Sequence, residues 1–220
     1  MKWKHLGGLA IGLALASPAR DAGALEAPGI GGVKTIADLP GWWHGGSNPT
    51  AYEIGRDQIT KQAGVASARL KATQSNPAGF ASMMQVCAAD RFRGKRLRLS
   101  GWLKTENVGR RAGFWLRVDG LSAGKSVPLA VDAMKDRPIL GSHDWSRYEI
   151  VLDVGRDAVD IAFGATLAGA GTVWVDGLQL DEVSAQVAPA GVASGVPALP
   201  KNLDFEGADT TNPRSRSNGR

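Results

Sequence analysis

Between residues 136 and 183 apolar and polar side chains alternate in three successive runs, a pattern that few folds accommodate. In the first, Tyr148, Ile150, Leu152 and Val154 share one parity while Glu149 and Asp153 take the other. Side chains of a strand point alternately to its two faces, so this is a half-buried strand. Gly155-Arg156-Asp157 reads as a turn, and Val159, Ile161, Phe163, Ala165 and Leu167 resume the alternation. Gly169-Ala170-Gly171 breaks the chain again before a third run, Thr172–Val183. Turns this short leave no room for a parallel crossover, so the three runs are expected to form an antiparallel meander.

The same reading extends backwards. Leu97, Leu99, Gly101 and Leu103 alternate with Arg96, Arg98, Ser100, Trp102 and Lys104, and Phe114, Leu116 and Val118 with Trp115, Arg117 and Asp119. Segments 51–56, 66–72 and 80–87 are further strand candidates, and 127–134 is a weaker one whose Pro128 suits an edge. No helical period persists over ten residues anywhere after residue 16. The expected fold is all-β, an antiparallel β-sandwich (jelly roll).

The ends differ from the middle. Residues 1–16 have a secretory signal's form: Lys2 and Lys4, an apolar run to Ala16, and a small-x-small site at Ala14-Leu15-Ala16, with cleavage after Ala19 fitting as well. The run is too short to span a bilayer. Residues 17–32 read as a flexible leader, 33–184 as the sandwich, 185–200 as an Ala/Gly/Val/Pro linker and 208–220 as a disordered basic tail. Without Lys2 and Lys4 the formal charge falls from +5 to +3. Much of that excess lies in the tail, and the rest is dispersed rather than gathered on one face, which argues against a nucleic-acid partner. Cys87 is the only cysteine, so no internal disulfide forms, and its apolar strand context makes it a core residue. Trp42 and Trp43 stand in a Gly/Asn/Pro-rich loop; they either plug one end of a sandwich or form a ligand-stacking lip.

The residues 96–108 (RLRLSGWLKTENV), 113–120 (GFWLRVDG), 144–154 (DWSRYEIVLDV) and 173–183 (VWVDGLQLDEV) resemble the galactose-binding-like jelly rolls shared by many carbohydrate-binding modules. DRPILGSHDW at 136–145 and NLDFE at 202–206 are similar to a group of exported bacterial domains of unassigned function, found alone or beside regulatory or peptidase-like modules. The resemblance implies fold more than activity.

It also implies a structural calcium, held by a last-strand aspartate and the glutamate of an N-x-x-F-E segment; here these are Asp176 and Glu206. Trp174, Asp176, Leu178 and Leu180 share a parity, and the leucines mark it as the inner face, where a carboxylate needs a cation or hydrogen-bond donors. The alternative is that Asp176 accepts backbone or tryptophan hydrogen bonds. The N-x-x-F-E segment lies at the far end of the chain, so residues 201–207 either return as a missing strand or open a truncated repeat.

If 95–105 and 113–119 belong to one sheet, Trp102 and Trp115 share its outer face with Arg98, Arg117 and Asp119, and Gln85 could join them. Rings beside polar groups on a concave sheet suit a sugar: the rings cover C–H faces and the polar groups fix hydroxyls. Ala162, Gly164 and Thr166 would leave room for a groove. The alternative is that a loop covers the tryptophans. Ser142-His143-Asp144-Trp145 reads as a tight turn rather than acid–base machinery, and no G-x-S-x-G motif occurs. The function expected is an exported, periplasmic or secreted, non-catalytic module for a carbohydrate or glycan. The alternative is a regulatory or protein-interaction accessory domain with a protein partner.

Overall fold

The computed structural model describes residues 34–184, 186 and 202–207. The signal, the leader, nearly all of the linker and the basic tail lie outside the described residues. Ten strands follow in order: β1 (Lys34–Thr35), β2 (Trp43–Gly46), β3 (Tyr52–Asp57), β4 (Ser67–Ala72), β5 (Phe80–Ala88), β6 (Arg96–Ser122), β7 (Lys125–Asp132), β8 (Ile139–Asp153), β9 (Asp160–Ala168) and β10 (Thr172–Val183). Every ladder between them is antiparallel. Among the described residues the only helix is a 3₁₀ turn at Pro49–Ala51, and no helix is long and apolar enough to cross a membrane. The chain is an antiparallel β-sandwich.

The strand that organises it is β6, which belongs to both layers. Its first half, Arg96–Glu106, lies between β10 and β8. Its second half, from Arg111, lies between β9 and β7. One layer therefore runs β3-β4-β10-β6-β8 and the other β1-β2-β5-β9-β6-β7. Where β6 changes layer, its ladder with β8 slips repeatedly between Leu103 and Ala112, and Asn107 takes φ 52°. Extra residues on one side of a ladder bend and twist a strand, which lets one strand serve two sheets. Inner faces meet at Gly101: a Cβ there would stand 2.9 Å from Leu178 Cδ2 and 3.1 Å from Phe114 Cζ. Leu97, Leu99 and Leu103 from one layer and Phe114, Leu116, Phe163, Met83 and Cys87 from the other fill the space between.

The expected meander does not form. Tyr148–Val154 falls in β8, and its ladder is with β6; β9 pairs with β5 and β6, and β10 with β4 and β6. Successive runs thus cross from layer to layer, as a jelly roll requires. Alternation marks which face of a strand is apolar but carries no information about its neighbour, so antiparallel pairing came out as expected while the partners did not. The turn expected at 142–145 is instead strand, part of β8.

Trp42 and Trp43 divide. Trp42 is fully buried, edge-on to Phe163 with ring centres 6.0 Å apart and tilted against Phe205 at 5.3 Å, and its Nε1–H donates to Asn202 O. Trp43 opens β2 and remains half-buried opposite Met84. Residues 202–207 lie against the sandwich as a turn rather than a strand, with Phe205 buried in the core and Leu203 O accepting from Leu178 N.

Candidate functional site

An antiparallel sheet can present one face to water, and the outer side of the second layer holds a cleft. Trp115 of β6 stands opposite Gly164 of β9, and Gly164 stands opposite Met84 of β5. No side chain fits at 164, since a Cβ there would come within 1.9 Å of the Met83 carbonyl oxygen. The cleft on this face, of about 650 Å³, is floored by Ser82, Met84, Trp115 and Thr166 and rimmed by Phe80, Arg111, Arg117, Val131 and Lys135.

The floor is held by hydrogen bonds. Trp115 Nε1–H donates to Ser82 Oγ at 2.7 Å, and that hydroxyl lies 2.9 Å from Ala165 O. Thr166 donates to Ala81 O. The indole that lines the cleft is thereby held in place, the pre-organisation that ring stacking needs. Arg117 is steadied from behind: its Nε–H donates to Asp119 Oδ2 at 2.8 Å and its Nη2 lies 2.7 Å from the same oxygen. Asp119 is 2% exposed, and burial raises its carboxyl above the ordinary range against the opposing pull of Arg117. It positions Arg117 and does not line the cleft.

The expected site is split by the fold. Trp115, Arg117 and Asp119 do share one outer face, but Trp102 and Arg98 lie on the opposite side of the molecule, because the two halves of β6 belong to different layers. Trp102 sits half-buried beside the β10 bulge, 3.4 Å from where a Gly177 Cβ would be. Arg98 is part of a charge ladder, 3.9 Å from Glu149 and 3.6 Å from Asp181. Gln85 also leaves the site: it is 4% exposed and stands opposite Phe163, on the core parity of β5 with Met83 and Cys87. Because β5 is apolar on both parities, its pattern could not say which face was outward; Ser82 and Met84 are the outward pair. Arg111, just past the layer change, and Lys135, in a connecting segment, fell outside both alternating runs and were missed.

Asp176 and Glu206 come together, though not on the inner face. The β10 ladder shifts register between Asp176 and Gln179, with Gly177 at φ 53°, so Val173 and Val175 face the core before the bulge and Leu178 after it. Asp176 is buried instead beneath the segment between β3 and β4. Its Oδ2 accepts from Gln62 N and Ala63 N at 2.7 and 3.1 Å, and its Oδ1 from Gly177 N at 2.7 Å. Glu206 accepts from Val65 N and Ala66 N. Burial raises the Asp176 carboxyl, these N–H groups lower it, and the charge of Glu206 raises it further. Calcium needs a shell of oxygens. These carboxylates face N–H donors on every oxygen, and no cluster of three or more His, Cys, Asp or Glu side chains suited to a metal occurs among the described residues. The donor set does not fit a calcium ion.

Fold and cleft together define a jelly-roll β-sandwich with one open, cationic and aromatic outer face. No family model matches the chain. It is 43% identical over 171 residues to an uncharacterized HTH-type transcriptional regulator, YbfP, of Bacillus subtilis (strain 168), a match covering 76% of this chain and 57% of that protein. The chain thus spans little more than half of that relative's length. Among solved structures it is similar to the C-terminal family 22 carbohydrate-binding module of Clostridium thermocellum Xyn10B (14% identity, 74% of this chain and 98% of that one, TM-score 0.48). It is also similar to a family 16 carbohydrate-binding module (17%, 62% and 93%, 0.46) and to the enzymatically active domain of tailspike protein 4 of bacteriophage CBA120 (13%, 67% and 20%, 0.49). At such identities and scores these likenesses assign no ligand.

Proposed function

We propose that this chain is a non-catalytic binding module whose ligand is a carbohydrate, held in the cleft of the second layer. The observation that carries this is the half-buried indole of Trp115 in the cleft floor, held by Ser82, with guanidinium groups at the rim. A pyranose has an apolar C–H face and an equatorial rim of hydroxyls, and this arrangement offers a partner to each. Export through Met1–Ala16 belongs to the same reading.

A second reading rests on the B. subtilis relative: the domain serves a regulator, and the cleft receives the molecule being sensed. Among the described residues no helix-turn-helix is present, so on this reading they would sense rather than read DNA.

Isothermal titration of the protein with a panel of neutral and acidic oligosaccharides tests the proposal. Trp115→Ala is expected to weaken any binding by about tenfold or more, as for a stacked central aromatic. Trp102→Ala, on the opposite face, should leave it unchanged. Absence of binding across the panel, or loss of it in Trp102→Ala alone, would overturn the assignment.

A further inference from the structure

The cleft's charge is one-sided. Arg111, Arg117 and Lys135 line it, and no carboxylate does. Arg117 is matched by Asp119 beneath it. The other carboxylates of this segment, Asp132 and Asp136, are both taken by Arg137, and Asp132 also accepts from Met134 N. Arg111 and Lys135 have no ion-pair partner among the described residues, and Arg111 Nε is buried without a hydrogen-bond acceptor. A buried guanidinium N–H without a partner is costly, and native proteins supply one from solvent or ligand. Two unmatched cations beside a stacking ring ask for a ligand that carries negative charge on a sugar frame.

We infer that the cleft takes an acidic saccharide, a glycan containing uronic-acid residues, with one ring on Trp115 and a carboxylate between Arg111 and Lys135. This rests on the carbohydrate reading above. Guanidinium groups bind carboxylates through paired, charge-assisted N–H···O bonds, and Lys135 adds a point charge from the exposed rim. The three-cation lining also gives specificity against neutral sugars. A hydroxyl offers a weaker acceptor to Arg111 and nothing to offset the desolvation of the two cations.

The test uses oligomers of galacturonic, glucuronic and mannuronic acid, the methyl esters of the same oligomers, and neutral oligosaccharides of equal length, titrated calorimetrically into the full chain. Esterification keeps the ring and removes the charge. An acidic oligomer is expected to bind, with affinity falling about tenfold or more on esterification and by a similar factor in Arg111→Gln. Binding should also weaken as salt rises. Lys135→Gln, at an exposed site, should show a smaller loss at unchanged melting temperature and guards against misfolding of the Arg111 variant. Equal affinity for acid and ester, or binding of neutral oligomers alone, would overturn the acidic specificity and leave the carbohydrate reading standing. No binding to any member would overturn both.

Discussion

Cys87 lies in the core opposite Ile161, and burial, followed by the charge of Asp160, pushes its thiol up to about 12. The unfolded chain releases that proton near 9.0, the ordinary value, whereas the folded chain retains it. Above pH 9 the native state therefore holds more protons than the unfolded one, and stability falls as pH rises. Relative to Cys87→Ala, the wild-type protein should lose roughly 1.4 kcal/mol between pH 8 and pH 10 in urea unfolding. Parallel pH profiles for the two proteins would mean that the thiol is accessible to water. At this scale the sequence was legible where one face of a strand was polar: Trp115, Arg117 and Asp119 all lie on the outer side their parity assigned. It was not legible on β5, where Gln85 shares the core face with Ala81, Met83 and Cys87.

Two departures from regular strand geometry, in β6 and β10, decide where the functional side chains go. The layer change in β6 sends Trp102 and Trp115 to opposite faces, and the bulge at Gly177 moves Asp176 from the inner face to the outer. Neither was readable from alternation, because a bulge shifts parity by one residue and leaves each flanking run regular. Asn107 and Gly177, both residues that tolerate positive φ, mark the two places. The pairing of Asp176 with Glu206 was implied by resemblance alone; what the structure adds is the set of N–H donors from residues 62–66 that both carboxylates accept. Those bonds give each carboxylate oxygen a donor. Thermal melting should therefore be the same in excess chelator and in millimolar calcium. A ligand that binds only the folded state raises the melting temperature, so a clear rise with calcium would show that carbonyl groups of that segment can turn inward and hold the ion.

Taken whole, the sandwich has two unlike outer faces. The first layer carries matched charges, with Lys95–Glu182, Arg96–Asp153 and Lys104–Asp144 within salt-bridge distance. Such exposed pairs are screened by solvent, add little to stability and leave little net field. The second layer holds a cleft, aromatic at Trp115 and cationic at its rim. This asymmetry is the reason to place the ligand on one face and not the other, and it holds whether the domain works as an exported module or as the sensing part of a regulator. Hydrogen–deuterium exchange, with and without a saturating oligosaccharide, tests that placement most directly. Added protection is expected in peptides covering 80–86, 111–117 and 131–135, and none in 96–104 or 146–151. Protection confined to the latter segments would put the ligand on the charge-matched face and contradict that placement.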